Sequence, residues 1–401
     1  CFESSPEPGG VIRTSTEAGR VLEHGPQRLR LSEPVESLVD SVGLTDELRV
    51  ADDSLPLYVY ANGALRRVPR SIRSFLATDL LSVRAKLRVL AEPLTAPGKP
   101  DETVADLFAR KFGDETYRNL LGPLFGGMYA SDPGRMPARH ALSTLLRLEE
   151  RDGSLLRAAL GRVGDSAPPP ASFDDGLQRL PRAIVERHGD RVHLGTRVTA
   201  VDRDDGGYVL RTDGDGSADA DESVFDRVVL TTAAPAAAAL VEDLASDAAE
   251  RLRGLTYNPL ALVHLRSDAD ASGFGYQVGH DEALHTLGVT WNASLFDRDG
   301  VFTAFLGGMT DAEVLDRGDV SLGALAASEF SAVMGESADV LDVTRLQRGF
   351  PAYDRSWDDL AGLSLPPGID LATNYTARMG IPSRVREAAE LAESIAGATG
   401  Q

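Results

Sequence analysis

Hydrophobic residues recur with two different periods along this chain, and the change of period divides it. Residues 1–31 read as a short strand, a glycine turn at Gly9-Gly10 and an extended segment. Val35, Leu38, Val39 and Val42 then recur at helical spacing and stop at Gly43. Leu57-Tyr58-Val59-Tyr60 followed by Asn62-Gly63 is a hairpin signal. Residues 66–165 carry mostly the helical period. Asp101, after Pro100, is placed to cap a helix with Glu102 in its first turn and Val104, Leu107, Phe108 and Phe112 on one face. Leu142–Leu160 is a second helix, broken near Gly153, and Pro168-Pro169-Pro170 marks the return to another layer. From Arg191 the period is two: Val192, Leu194, Val198 and Val201 alternate, with Gly207–Arg211 as hairpin partner. An acidic, glycine-rich loop covers Gly214–Ser223. Arg227–Thr232 reads as a buried parallel strand, followed by an alanine-rich helix over Pro235–Leu252 that ends at Gly254.

Further strands are predicted at Leu260–Leu265, Leu287–Asn292, Phe302–Leu306, Val343–Phe350 and Ile369–Ala372, and helices at Leu322–Met334 and Pro382–Ile395. Two β-rich blocks thus flank a helical insert. The end of the chain is expected to return to the sheet begun at residue 1. The boundaries are 1–65, 66–170, 171–255, 256–350 and 351–401.

Composition narrows the class. With 401 residues, two or three domains are expected. The formal net charge is −20, and only Lys86, Lys99 and Lys111 among the 41 basic residues are lysine. An acidic, lysine-poor surface reads as a protein kept soluble in high salt, and it repels nucleic acid. One cysteine, Cys1, leaves no disulfide framework or zinc knuckle. No run of about 18 apolar residues exists for a spanning helix. The chain starts with Cys rather than Met, already inside an apparent strand, so the numbered sequence is expected to begin partway into a longer protein.

Candidate chemistry lies at the two ends. Glu3 sits where a short strand stops, Gly9-Gly10 follow, and Glu23-His24-Gly25-Pro26 closes the stretch. An acid at a strand end can accept the ribose hydroxyls of a dinucleotide, and paired glycines let backbone approach a pyrophosphate. A plain turn explains the glycines equally. Near the other end, Ile369-Asp370-Leu371-Ala372-Thr373-Asn374 is followed by Met379-Gly380-Ile381-Pro382. This is strand, loop, Gly, then Pro at the first turn of a helix. Such a helix end offers N–H groups and partial positive charge to an anion, or it simply docks on a sheet. No Gly-x-Ser-x-Gly and no cysteine–histidine pair is present. His280 and His285 with Asp281 and Glu282 are spaced poorly for a metal, and a loop is expected there, with no metal site.

Taken in order, the motifs resemble the FAD-dependent protoporphyrinogen/coproporphyrinogen oxidase family, within the amine-oxidase-like flavoproteins. The matching segments are Glu3-Ser4-Ser5 with Gly9-Gly10, Glu23–Pro26, Tyr60–Leu65, Asp101–Val104, Arg110–Gly113 and Gly127–Asp132. Gly273-Phe274-Gly275, Leu287-Gly288-Val289, Leu306-Gly307-Gly308, Pro351-Ala352-Tyr353 and Gly380-Ile381-Pro382 continue the series. The resemblance implies a mixed α/β fold: a Rossmann-like FAD-binding domain, a β-sheet substrate domain and a helical insert. It implies that Glu3, with Ser4, holds the adenosine ribose. Gly9, Gly10, Val11, Gly25, Pro26, Gln27 and Arg28 would line flavin and phosphates, Val198 would meet adenine through its backbone, and Asn374, Met379, Gly380 and Ile381 would flank the isoalloxazine. Leu57, Phe274, Gln277, Thr290 and Phe305 would line a tetrapyrrole pocket. The flavin would do the chemistry, with no catalytic side chain and with oxygen or another acceptor taking the electrons.

Three departures stand out. No Gly-x-Gly-x-x-Gly loop precedes Glu3, the basic residue that anchors a propionate in many relatives is Leu57 here (with Arg66 or Arg67 as replacements), and the flavin-side loop reads Thr373-Asn374 and then Ala377-Arg378, without glycine. An amine oxidase, a carotenoid desaturase or a non-catalytic remnant of the fold stays open. Finally, Arg66, Arg67, Arg70, Arg73, Arg84, Lys86 and Arg88 interleave with Phe75, Leu76, Leu80, Leu81, Val83 and Leu87. Relatives place a membrane-contacting helical domain at this point. The expectation is a cytoplasmic protein touching the inner face of a membrane peripherally, or else a solvated face or carboxylate-binding patch.

Overall fold

Asn62 and Gly63 both take positive φ (53° and 69°) in the computed structural model. They fold Leu57–Ala61 and Ala64–Arg67 into the expected antiparallel hairpin. That hairpin forms one margin of a seven-stranded sheet. Its order is Asp339–Pro351, Tyr257–Arg266, Val301–Gly307, Thr286–Thr290, Gly275–Val278, Leu57–Ala61 and Ala64–Arg67. The structure describes residues 1–162, 167–213, 223–376 and 379–399. Most of the expected acidic loop, residues 214–222, and Ala377-Arg378 lie outside them. The chain divides into two units: Cys1–Ala51, Pro168–Thr256 and Asp358–Gln401 in one, Asp52–Ala167 and Tyr257–Trp357 in the other.

The unit that holds the large sheet packs one sheet face on the helix Asp319–Met334. Tyr276, Val289, Ala304 and Val263 form one row across the strands and bury against Leu322, Ala326 and Phe330. Because side chains alternate along each strand, the residues between them point to the opposite face. There Val59 and Ala61 pack with Leu80, Leu81 and Ala85 of the helical insert. The insert comprises helices including Ile72–Ala77, Val83–Leu90, Val104–Phe112, Gly122–Tyr129, Ser143–Asp152 and Leu155–Leu160. The break at Gly153 is present, with φ at 74°. The cap differs from expectation. Thr103, not Asp101, accepts the N–H of Asp106 (3.1 Å), and Asp101 instead pairs with Arg139.

In the other unit, Glu33–Ser41 and Arg179–His188 pack on a small antiparallel sheet whose middle strand is Pro170–Phe173. The core there is Leu29, Val35, Val39, Ala171, Phe173, Leu177 and Leu180. Arg197–Asp204 and Gly207–Asp213 form the expected hairpin. Val228–Leu230 pairs in parallel with Ile369–Leu371. The last strand therefore joins the 228–230 segment rather than the segment at residue 1, which bridges His193 through Phe2. The alanine-rich helix is two helices, Ala234–Val241 and Ser246–Gly254. Glu242-Asp243 place acids at the first helix's C-terminal end, where its dipole disfavours them, and Asp247 opens the second, where it is favoured. Elements that the pattern does not announce include the hairpin Thr14–Glu17/Arg20–Glu23, the strands Leu48–Val50, Pro170–Phe173 and Gly275–Val278, and the helix Arg179–His188.

Candidate functional site

The first stretch is built around backbone pairing. Glu3 N donates to His193 O and its own carbonyl accepts from Thr196 N, both at 2.9 Å, so Glu3 lies extended beside residues 193–196. Its carboxylate accepts from Ser5 N (2.7 Å) and Ser4 Oγ (3.4 Å). Val198 follows two residues after that pairing, at the start of Arg197–Asp204. Gly9 and Ile12 close a turn, Ile12 N donating to Gly9 O at 2.9 Å. The Gly25 loop lies directly against this turn: a Cβ on Gly25 would sit 1.9 Å from the Val11 carbonyl oxygen. Gln27 folds its amide onto Glu23 O and Gly25 O and is buried. Burial, and then the charge of Arg30, push the Arg28 guanidinium down to about 10, so it stays a cation at neutral pH.

The far end of the chain converges on the same core. Ile381 and Val385 pack with Ile12 on the Leu29–Val35–Phe173 cluster. Gly380, at φ 108°, starts the helix Ile381–Thr399 and accepts from Ser383 N. Thr373 and Thr376 form a hydroxyl-bonded turn around Asn374, and Tyr375 Oη donates to Thr232 O. A 19-residue helix thus begins one residue after a glycine, and its first residue shares a core with the neighbour of Val11. Gly10 has open space where a Cβ would point. The helix start at Ile381, the unobstructed glycine backbone at Gly10 and the half-buried cation Arg28 fit a phosphate-bearing cofactor.

The five expected substrate residues all lie in the unit with the large sheet. Strand register settles which face four of them occupy. One row reads Leu57–Gly275–Thr290–Thr303 and another Val59–Gln277–Gly288–Phe305–Leu262. Leu57, Thr290, Gln277 and Phe305 therefore project from one face, opposite the Asp319–Met334 helix. Phe274 is buried and continues the ladder, donating from its N to Pro56 O. Gly273 and Gly275 flank it with positive φ, so the alternation does not assign its side. Arg66 shares a row with Val59 and binds Asp79 and Ala61 O, whereas Arg67 opposes Tyr58 and faces the other way.

Some contacts carried no signal in the sequence. Glu23, in a matched motif, is a buried hub that accepts from Thr14 Oγ1 (2.6 Å) and Leu177 N (2.9 Å). Gln178 ties Pro8 O to Thr14 N through its amide. Gly127 is a close approach: a Cβ there would meet Gln277 Oε1 at 1.7 Å. The glycines of Gly126-Gly127 were the available hint. His285 Nδ1 lies 2.6 Å from Asp311, and Asp281 lies near Arg118.

A mixed α/β unit with a glycine-lined, anion-favouring helix end, and a separate β-sheet unit with an insert, define a dinucleotide-binding flavoprotein oxidoreductase. The chain belongs to the flavin-containing amine oxidoreductases, whose family model matches residues 2–396, and its cofactor is a flavin. It is 28% identical over 358 residues to protoporphyrinogen oxidase 1, chloroplastic, of Arabidopsis thaliana, covering 80% of this chain and 66% of that protein. The chain thus spans just under two thirds of that relative's length. It is 27% identical over 421 residues to coproporphyrinogen III oxidase of Mycobacterium tuberculosis, covering 98% of this chain and 90% of that one. A provisionally named protoporphyrinogen oxidase structure from Exiguobacterium sp. 255-15 shares the fold, with a TM-score of 0.79 at 23% identity over 98% of this chain and 92% of that one.

Proposed function

We propose that this protein is a porphyrinogen oxidase of haem synthesis, converting protoporphyrinogen IX or coproporphyrinogen III to the porphyrin with oxygen as final acceptor. The observation that carries this reading is the similarity to porphyrinogen oxidases of both kinds along 80–98% of the chain. Bound FAD supplies the acceptor for a hydride from a bridging carbon of the macrocycle. Glu3, with Ser4 beside it, accepts the ribose hydroxyls. Gly9, Gly10 and Val11 with Gly25, Pro26, Gln27 and Arg28 line the phosphates and flavin, mostly through backbone. Val198 meets the adenine. The Ile381 N–H and the helix dipole behind it stabilise negative charge, and Asn374 and Met379 flank the ring. Leu57, Phe274, Gln277, Thr290 and Phe305 orient the macrocycle and exclude water. The test is to load the full chain with FAD and follow porphyrin fluorescence from each porphyrinogen. Flavin uptake without any fluorescence gain rejects the proposal; turnover of an amine or polyene instead would replace it.

Peripheral membrane contact belongs to the same proposal. No helix among the described residues is long and apolar enough to cross a membrane. Ile72 and Leu76 on one insert helix, and Val83, Leu87 and Leu90 on the next, are exposed, as is Leu94 at 88%. On each helix their spacing makes an apolar stripe, and Arg70, Arg73 and Arg84 nearby are exposed. An apolar stripe edged by arginine suits an anionic lipid surface.

A further inference from the structure

Porphyrinogen oxidation needs more than a hydride acceptor. When a hydride takes an electron pair from a bridging carbon, the macrocycle is left with a positive charge. A pyrrole N–H proton must then leave before it is neutral again. A cation held against apolar Leu57 and Phe305 without an exit for that proton would be costly. The unit with the large sheet contains a cavity that none of the five substrate residues lines. It measures about 250 Å³ and lies between the helix Gly122–Tyr129 and residues 278–287 and 310–311. Its inner wall adjoins the substrate face. Gly127 lines the cavity, and Gln277 abuts it there: a Cβ on Gly127 would lie 1.7 Å from Gln277 Oε1. Leu287, also in the wall, packs with Phe305 on the cluster of Ala130, Leu260 and Leu262. Elsewhere the wall carries Tyr117, His280, Glu282, Thr310 and Asp311, and no lysine or arginine. A polar cavity of this size has room for several waters with partners to bind them. Burial, then the charges of Asp132 and Asp106, push the Tyr117 hydroxyl up, so it stays a donor at neutral pH.

On the solvent side, Asp311 Oδ2 lies 2.6 Å from His285 Nδ1, and the His285 side chain is 42% exposed. With Nδ1 engaged, Nε2 is the ring atom left to meet water. The pair is held from behind. Buried Glu329 accepts from His285 N (2.9 Å), Thr286 N (2.8 Å) and Thr286 Oγ1 (2.6 Å). We propose that this cavity is the route by which the substrate's proton leaves. The pyrrole N–H bond breaks to a water at Gln277, water in the cavity passes a proton to the Asp311–His285 pair, and Nε2 releases one to solvent. One proton thus enters and one leaves for each hydride removed. The carboxylates of Glu282 and Asp311 favour positive charge in transit. Asp311 and His285 act through water and touch no substrate, and Gln277 positions the first water. The route rests on the porphyrinogen oxidase reading above.

The experiment follows porphyrin fluorescence from protoporphyrinogen IX and coproporphyrinogen III on the FAD-loaded full chain. His285→Ala is expected to lower kcat about tenfold with KM little changed, and to enlarge the solvent deuterium isotope effect on kcat. Added imidazole should restore most of the loss, a rescue that a merely structural role does not give. Gly126→Leu is the second variant: a Cβ there meets nothing nearer than 3.5 Å, and the side chain would fill the cavity. It should also lower kcat, without rescue by imidazole, because the break lies before His285. An unchanged kcat in either variant, a His285→Ala loss that imidazole leaves in place, or a raised KM at constant kcat in Gly126→Leu overturns the route and leaves the oxidase reading standing. Should one variant fail to fold, the other decides. Oxidation of neither porphyrinogen by the unaltered chain sinks the oxidase reading, and the route with it.

Discussion

Gly25 makes the hardest demand of any single residue in the cofactor half. The atom its absent Cβ would strike, the Val11 carbonyl oxygen, is backbone and cannot swing aside. Gly25→Ala is therefore expected to separate the Gly25 loop from the Gly9–Ile12 turn and to cost about 2 kcal/mol. Flavin absorbance per mole of purified protein should fall with it, and a variant that retains full flavin content and melting temperature would refute the argument. Residues of this kind were half legible in the sequence. Gly9-Gly10 and Gly25-Pro26 announce themselves because glycine tolerates close backbone approach. Glu23 did not: its carboxylate looks as available as that of Glu3 until folding surrounds it with Thr14, Ser172 and Leu177. Burial, not residue type, separates the two acids.

Among the elements, the insert is locked by a charge cluster that period alone could not reveal. Lys111, at the end of Val104–Phe112, is buried and binds Glu92 (2.9 Å), Glu149 and Thr95. Glu92 also accepts from the Leu155 and Leu156 N–H groups at the start of the Leu155–Leu160 helix. Lys111→Met would leave two buried carboxylates without their cation, an expected cost of about 3–5 kcal/mol in urea unfolding. Burial tends to raise the Glu92 carboxyl, but hydrogen bonds from Ser154, Lys111 and the Leu156 N–H, with the charge of Lys111, hold it below the ordinary carboxylate range. Its folded value being depressed, its contribution is fully present above the unfolded value of about 4.3 and is lost as pH falls through the folded one. Unfolding stability should thus drop below about pH 4. Glu92→Gln should show a weaker acid slope, and an unchanged slope would remove Glu92 from the account. The helices around this cluster were readable from their spacing, and Gly153 from its composition. The cap at Thr103 and the strand Gly275–Val278 were not. Asp101 is an equally good capping type, and a four-residue strand that opens on a positive-φ glycine has too little alternation to register.

Over the whole molecule, a net charge of −20 sets the terms on which any surface is approached. An anionic membrane repels such a protein at long range, but salt screens that field over roughly 8 Å at physiological ionic strength. Contact through the Ile72–Leu94 stripe should then persist in vesicle co-sedimentation as salt rises, since apolar burial is not screened. Leu87→Asp with Leu94→Asp should abolish it without changing flavin content; pelleting of that double variant at the original level would discard the stripe as the contact. The sequence by itself determined the class of elements, the helical insert between β-rich blocks, and the two ends of the chain as the places to look for a cofactor. It did so because period and glycine placement are local consequences of backbone geometry and one-sided burial. Only the tertiary structure decided that Ile12 and Ile381 share a core, that the last strand pairs with Val228–Leu230, and that Leu57, Gln277, Thr290 and Phe305 stand on one face while Arg67 stands on the other. Those outcomes depend on which distant strands pair and in what register. A shift of one residue would send every side chain to the opposite face while leaving the local pattern unchanged.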